Sequence, residues 1–266
     1  MTVQIAIIGA GVMGETLLAA LLQSGRPVDE VVISEKRADQ AARLRAKYGV
    51  AVLDNVDAAR QARTILIVVK PQDMAAVLAE IGPVIGTGST VMSLAAGIHI
   101  DVIEDALGEG VAVIRVMPNT PALVGEGMFG ISPGKACSDE QLAVAKDLLG
   151  TSGKVAVVPE NLQDAVTGLS GSGPAYVFYL AESMIAGGVA AGLPEGTARD
   201  FAIQTIVGAA KMLSESDASP AVLRERVTSP NGTTAAALSV LDAHEVKATF
   251  ELAIVAASDR SAELSK

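Results

Sequence analysis

Two short stretches of the chain carry residue types whose spacing could do chemistry. The first, Arg226–Leu238, places four hydroxyl side chains (Thr228, Ser229, Thr233, Thr234), a proline and an Asn-Gly pair directly ahead of an alanine-rich helical run. The first amides of a helix lack partners and the dipole is positive there, so hydroxyls and free N–H groups at such a start form an anion site. The plain alternative is a Ser/Thr/Asn cap behind a proline turn. One cap needs one oxygen, however, and Gly232 adds a position where backbone can approach a ligand. The second stretch is Gly9-Ala10-Gly11-Val12-Met13-Gly14, a G-x-G-x-x-G string that follows an expected strand and opens an expected helix. In that context Gly9 makes the tight turn, Gly11 lets backbone approach a pyrophosphate and Gly14 permits close helix–strand packing. A dinucleotide is the expected ligand.

The end of the second strand, Ser34-Glu35-Lys36-Arg37, separates the two nicotinamide dinucleotides. An acidic residue there suits the ribose 2′-hydroxyl of NAD, and Arg or Lys suits the 2′-phosphate of NADP. A carboxylate about 4 Å from a phosphate costs on the order of a few kcal/mol at an effective dielectric near 20. NADP therefore requires Glu35 to turn away while Ser34, Lys36 and Arg37 face the phosphate, and the expectation leans to NADP. Three further loops fall at strand C-termini, where ligands bind in open α/β sheets: Val69-Lys70-Pro71, Ser93–Gly97 and Met117–Pro121, the last containing Asn119. Any one could be turn chemistry; together at one sheet edge they favour a nicotinamide pocket.

Equally informative is a missing proton carrier. Hydride transfer at a hydroxy acid wants a Lys or His to move the hydroxyl proton. The chain has two histidines, His99 and His244, both expected at the surface or at helix ends. The helix after Ser170-Gly171-Ser172-Gly173-Pro174 has no Lys or Arg before Arg199. A substrate whose reactive group is already an imine needs less help, because a protonated C=N accepts hydride directly.

The elements that must position these residues alternate in the first part of the chain. Val3–Ile8, Val31–Ser34, Thr64–Val69, Thr90–Leu94 and Ala112–Met117 are apolar, β-branched runs suited to strands buried on both faces of a parallel sheet. Between them lie the helical stretches Glu15–Ser24, Ala38–Lys47, Asp73–Glu80 and Asp101–Leu107, which predicts a doubly wound α/β domain. Gly127–Ser132 and Lys154–Val158 are expected to extend the sheet at an edge. After Pro159 helix signals dominate, with Asn161 and Asp164 spaced as a capping box. The expected division is a dinucleotide-binding domain over 1–159 and an all-helical domain over 160–266. Between Asn161 and Gly192 the only charged residues are Asp164 and Glu182. A helix apolar nearly all round must be buried, and a domain of about 100 residues has little interior to hide it. A second copy of the chain is the economical cover.

Composition excludes several other classes. The 266 residues carry a net charge of −10, which argues against nucleic acid. With no Trp, four Phe and three Tyr, the core must be aliphatic. The single Cys137 excludes an internal disulfide and fits a reducing compartment. The N-terminus lacks a signal-peptide pattern. No apolar run reaches the roughly 18 residues of a membrane span, so a cytoplasmic protein without membrane partners is expected.

Six segments carry a resemblance along nearly the whole chain: Ile8–Gly14 (IGAGVMG), Val68–Pro71 (VVKP), Ser93–Ile98 (SLAAGI), Val116–Met128 (VMPNTPALVGEGM), Asp164–Phe178 (DAVTGLSGSGPAYVF) and Val227–Leu238 (VTSPNGTTAAAL). The chain resembles the pyrroline-5-carboxylate reductases, which complete proline biosynthesis. The glycine string is shared with many dehydrogenases; the last two blocks are far more specific. The resemblance implies a Rossmann-like N-terminal domain with a mostly parallel sheet, followed by an all-α dimerisation domain. It implies NADPH-dependent reduction of 1-pyrroline-5-carboxylate to L-proline, with NADH possible. It also implies a homodimer, or an assembly of such dimers, with sites completed by both subunits. By resemblance, Gly9–Gly14 (Gly9, Ala10, Gly11, Val12, Met13, Gly14), the Ser34–Arg37 turn (Ser34, Lys36, Arg37), Asn55, Val69, Lys70, Pro71, Ala95, Ala96 and Gly97 contact the cofactor, as does Glu160 at the hinge. Ser229, Gly232, Thr233 and Thr234 form the substrate-carboxylate cradle. Thr234, near the ring nitrogen, is the candidate catalytic donor or proton relay. Asp217 stands nearest to an acidic residue that lies by that nitrogen in some relatives. Many relatives have S-P-G-G-T where this chain has Asn231 as the first of the pair; Asn tolerates left-handed backbone, so the turn should survive. Three other readings stay open: another cyclic-imine reductase, a non-catalytic NADP-binding protein, and a hydroxy-acid dehydrogenase, for which Lys70 is the only lysine at a cofactor loop.

Overall fold

In the computed structural model, residues 3–265 are described. They form two compact units, one running to Ser172 and taking in the segment from Ala256 on, the other spanning Gly173–Val255. Packing thus assigns residues 160–172 and the end of the last helix to the sheet-bearing unit, whereas the change in sequence character falls at Pro159.

The first unit is built on eight strands: β1 Ile5–Ile8, β2 Val31–Ser34, β3 Ala51–Val52, β4 Thr64–Ile67, β5 Thr90–Ser93, β6 Ala112–Met117, β7 Gly127–Pro133 and β8 Gly153–Val157. Their spatial order is β3-β2-β1-β4-β5-β6-β7-β8. The first six strands are parallel, β7 runs antiparallel to β6, and β8 is parallel to β7. This is the doubly wound sheet expected, with the two late strands at one edge. The order reverses between β1 and β4, and open sheets of this kind bind ligands at that point.

Strand alternation sends side chains to two cores. Ile5, Ile7, Ile33, Leu66, Met92 and Phe129 join one face. Ala6, Ile8, Val32, Ile65, Ile67 and Val113 join the other. The crossovers that cover them are α1 Val12–Gln23, α2 Ala38–Tyr48, α3 Asn55–Gln61, α4 Met74–Ile81, α5 Ile100–Leu107 and α6 Asp139–Gly150. Two of these, α3 and α6, lie outside the expected set, although both carry cap signals. Asp54 accepts from the Asp57 amide, and Ser138 with Gln141 closes a reciprocal capping box. Strand β3 is too short for any hydrophobic period to reveal it. A second correction concerns Asn161 and Asp164, which do not form a capping box. A 3-10 turn, Glu160–Leu162, starts from Pro159 and leads into α7, Gln163–Val166. The Asp164 carboxylate accepts instead from the Ser261 hydroxyl at 2.6 Å. A π-helical turn, Thr167–Gly171, follows.

The second unit is helical: α8 Gly173–Ala190, α9 Glu195–Glu215, α10 Pro220–Arg226, α11 Thr233–Ala243 and the first part of α12 Val246–Leu264. Helix α8 packs on α9 where Gly188 meets Ala198; a Cβ on that glycine would lie 3.1 Å from the alanine Cβ. Within the single chain, α8 buries none of its residues and α9 only Ala198 and Ala202. Phe178, Tyr179 and Phe201 remain 63–70% exposed. That leaves an apolar surface of the kind that monomers rarely carry, on the very helices whose sequence demands burial. No helix among the described residues is long and apolar enough to cross a membrane.

Two charge clusters pin the crossovers. Glu15 on α1 accepts from both terminal guanidinium nitrogens of Arg43, the Lys47 ammonium and the Tyr48 hydroxyl, all from α2. The Arg43 hydrogen bonds, against an opposing burial effect, hold its carboxyl down from 4.5 to about 2. At the other cluster, Arg115 on β6 is 4% exposed and donates to Glu160 Oε1 at 3.2 Å. The same oxygen accepts from the Ile100 amide at 2.8 Å, so a distant carboxylate caps the start of α5. His99 directs Nδ1 toward Arg115 at 3.4 Å. The same nitrogen lies 3.6 Å from Glu160 Oε1.

A carboxyl held below its ordinary value stabilises the fold above that value and loses the effect as pH falls through the folded one. The stability gap between the wild type and Arg43→Ala should therefore close between about pH 4.5 and about pH 2, as followed by denaturant unfolding. Glu160→Ala strands the buried Arg115 and should cost about 3 kcal/mol in the same measurement at neutral pH, with Glu160→Gln less damaging.

Candidate active site

The β1–α1 turn begins at Gly9, whose φ of +92° lies in the left-handed region. A Cβ there would sit 2.7 Å from the Val68 carbonyl oxygen, and one on Gly14 would run into the Gly9 carbonyl. Gly11, in contrast, has open space where its side chain would be. It caps α1 without any side-chain hydrogen bond, so the amides of Val12, Met13 and Gly14 have no intrahelical acceptor. Glycines that admit no side chain, beside one that faces open space over free donors, suit a pyrophosphate.

Gly9 and Gly11 line a cavity of about 660 Å³ together with Ser34, Lys36, Arg37 and Asn55. Val69 and Lys70 form part of its wall. The structure thus brings eight of the expected cofactor residues to one cavity. At its ribose end Ser34 is 6% exposed and donates to Asn55 Oδ1 at 2.7 Å. Asn55 Nδ2 in turn donates to Glu80 at 2.6 Å. Glu35 also lines the cavity, but its carboxylate is folded onto Arg37, accepting from the backbone amide at 3.0 Å and from Nε at 3.2 Å. Lys36 pairs with Asp73 at 3.2 Å. Both cations of this turn are thus paired with carboxylates, Arg37 with Glu35 and Lys36 with Asp73.

Other expected residues stand elsewhere. Ala10 is fully buried, and its carbonyl accepts from Gln40 Nε2. Met13 packs on the core, while Val12 is exposed. Pro71 opens the 3-10 turn Pro71–Asp73 that leads into α4. Ala95 is buried and Ala96 exposed, in a loop that ends at Gly97 with φ +75°. Asn119 positions its own surroundings: Oδ1 accepts from the Met128 amide at 2.8 Å, and Nδ2 donates to the carbonyl and hydroxyl of Ser170. It thereby joins the Met117–Pro121 loop to the Ser170–Pro174 block. Asp73, Ala76 and Glu80, outside the expected set, also line the cavity wall. Their spacing of three and four is one helix face, and the Lys70-Pro71 turn that opens α4 was the available signal.

In the second unit the hydroxyl-rich stretch does end at a helix start. Gly232 is the N-cap of α11, with extended backbone and no side-chain cap. Its amide donates to the Ser229 carbonyl at 3.0 Å, and a Cβ on it would collide with the Ser229 hydroxyl. Asn231 takes φ +58°, the left-handed turn that the residue tolerates. The amides of Thr233, Thr234 and Ala235 have no helical acceptor. Among the described residues no hydrogen bond engages the Thr233 or Thr234 hydroxyl. Thr228 is different: its hydroxyl turns back to the Arg224 carbonyl at 2.7 Å, so three hydroxyls rather than four remain for the cradle. Asp217 is exposed in the bend between α9 and α10. No hydrogen bond among the described residues ties it to the cradle. His99 and His244 both stand at helix ends, as N-cap of α5 and C-cap of α11.

Comparison with known proteins follows the same division. Residues 160–264 match the family model for pyrroline-5-carboxylate reductase dimerisation. Residues 4–97 match the model described as NADP oxidoreductase, coenzyme F420-dependent. Curated pyrroline-5-carboxylate reductases from Corynebacterium melassecola and Pseudomonas aeruginosa are 41% and 40% identical, over 98% and 100% of this chain and 98% of each relative. Among solved structures, the pyrroline-5-carboxylate reductase from Coxiella burnetii superposes with a TM-score of 0.96 at 33% identity, covering 100% of both chains. The Plasmodium falciparum pyrroline carboxylate reductase with NADP bound gives 0.87 at 28% identity, covering 99% of this chain and 98% of that one. The chain belongs to the pyrroline-5-carboxylate reductase family.

Proposed function

We propose that the protein reduces 1-pyrroline-5-carboxylate to L-proline with NADPH as the hydride source. The observation that carries this reading is the full-length likeness, at about 40% identity, to reductases named for that reaction. Free helix-start amides on α1 suit a dinucleotide pyrophosphate, and those on α11 suit a small carboxylate. A dinucleotide with its adenosine half in the β1–α1 cavity would supply a hydride to an imine carbon.

The chain's own residues supply position and charge. The amides opening α11, with the Ser229 and Thr233 hydroxyls, hold the substrate carboxylate. The Thr234 hydroxyl donates to the ring nitrogen or relays its proton, and Asp217 contributes negative charge from the α9–α10 bend. Arg37 and Lys36, with Ser34, favour the 2′-phosphate of NADPH over the 2′-hydroxyl of NADH. Residues 1–159 serve as the dinucleotide-binding domain and 160–266 as the substrate and dimerisation domain. The exposed apolar helices α8 and α9 supply the dimer interface, and a second copy covers them. Cys137, without a disulfide partner, fits work in the cytoplasm.

Purified protein should oxidise NADPH in the presence of 1-pyrroline-5-carboxylate and do so at least about tenfold more efficiently than NADH, a ratio that one charge-assisted hydrogen bond supplies. No turnover with that substrate would end the assignment. Thr234→Ala should lower kcat/KM roughly 10- to 100-fold, the worth of a hydrogen bond to a charged group, while the NADP+ dissociation constant stays within about twofold. Unchanged kinetics in that variant would remove Thr234 from the reaction.

A further inference from the structure

Ser261 is the buried residue of α12, 8% exposed in a helix whose other positions face outward or lie half-buried. Burying a hydroxyl is costly unless it is hydrogen-bonded, and this one donates to Asp164 Oδ1 at 2.6 Å, a charge-assisted bond. The Ser261 carbonyl then accepts from both the amide and the hydroxyl of Ser265, at 3.1 and 2.9 Å, which closes the end of the helix. Here the last turn meets the loop after β5: a Cβ on Gly97 would lie 3.3 Å from the Leu264 carbonyl oxygen and 3.3 Å from Ser265 Oγ.

That loop needs outside support. Gly97 holds a left-handed φ of +75°, and Ala96 is exposed on its way there. Three anchors surround it. Ala95 is packed in the sheet core. At the far end, Glu160 caps the Ile100 amide and pairs with buried Arg115. In the middle, the end of α12 backs Gly97, fastened through Ser261 to Asp164. Glu160 and Asp164 belong to the same pair of turns, Glu160–Leu162 and Gln163–Val166. One short segment therefore governs the loop from two directions.

We propose that Ser261 and Asp164 are positioning residues, which seat the last turn of α12 behind Gly97 and so hold the Ala95–Gly97 loop in the shape that receives the nicotinamide half of the dinucleotide. This rests on the reading of that loop as a cofactor contact. The adenosine half, at Ser34–Arg37 and Asn55, is independent of the tie.

Calorimetry with two probes separates the halves: NADP+, and adenosine 2′,5′-bisphosphate, which lacks the nicotinamide. In Ser261→Ala and Asp164→Ala the NADP+ dissociation constant should rise about fivefold, the factor that one net hydrogen bond represents, with the bisphosphate unchanged. Asp164→Asn keeps an oxygen that accepts from Ser261 and should bind NADP+ as the wild type does. Unchanged NADP+ binding in both alanine variants overturns the proposal. So does an equal loss of both probes, the mark of general disturbance, or an asparagine variant as weak as the alanine. Because the readout is binding, a wild-type protein that binds NADP+ yet leaves 1-pyrroline-5-carboxylate unreduced defeats the functional reading without affecting this test.

Discussion

The site-bearing part of the molecule depends on how closely α1 approaches the β1 and β4 strand ends. Gly9 is pressed against the Val68 carbonyl, and Gly14 against the Gly9 carbonyl. Side chains at either place would push the helix away from the sheet. With both absent, α1 starts at the reversal of strand order, and Gly9 and Gly11 ahead of it line the cavity. The charged walls follow from the same approach. Ser34, Glu35 and Arg37 close the end of β2, while Asp73 from the turn ahead of α4 pairs with Lys36 and Glu80 on α4 accepts from Asn55.

The same solution recurs at α11 with different furniture. There the free amides open a helix whose N-cap glycine leaves no room beside Ser229, and a left-handed Asn231 turns the chain into it. Two helix starts, one under glycines and one under hydroxyls, leave backbone N–H groups without helical acceptors. Such groups suit anionic ligands even on a chain of net charge −10, because local N–H groups outweigh the distant field. The helical unit raises the opposite issue. Its helices are apolar and exposed together, because α8 and α9 bury little more than Ala198 and Ala202. Such a unit is half of a core, which is consistent with its match to a dimerisation family.

Ser34 and Asn55 show how far residue types alone carry an argument. Each is a plausible ribose contact from its position, but the bond between them, and the link onward to Glu80, joins residues far apart in the chain. Thr228 shows the converse. It belongs to the hydroxyl-rich stretch by composition, yet α10 ends just before it and its hydroxyl returns to the last turn. Asp164 is a third case, since its spacing from Asn161 imitates a cap while its partner lies on α12.

By itself the sequence determined the strand–helix alternation, the glycine turn, the hydroxyl-rich helix start and the change of character near Pro159. Each is local: hydrophobic period, turn chemistry and cap residues act within a few positions of one another. It also determined that the later helices need a cover, because apolar content does not depend on the fold. Only tertiary structure decided that Lys36 pairs with Asp73, that Glu160 caps α5 while neutralising Arg115, and that the end of α12 stands behind Gly97. These contacts join residues brought together by sheet order and helix docking. Side chains such as Lys36 and Asp164 have several partners compatible with their sequence positions, and packing selects one.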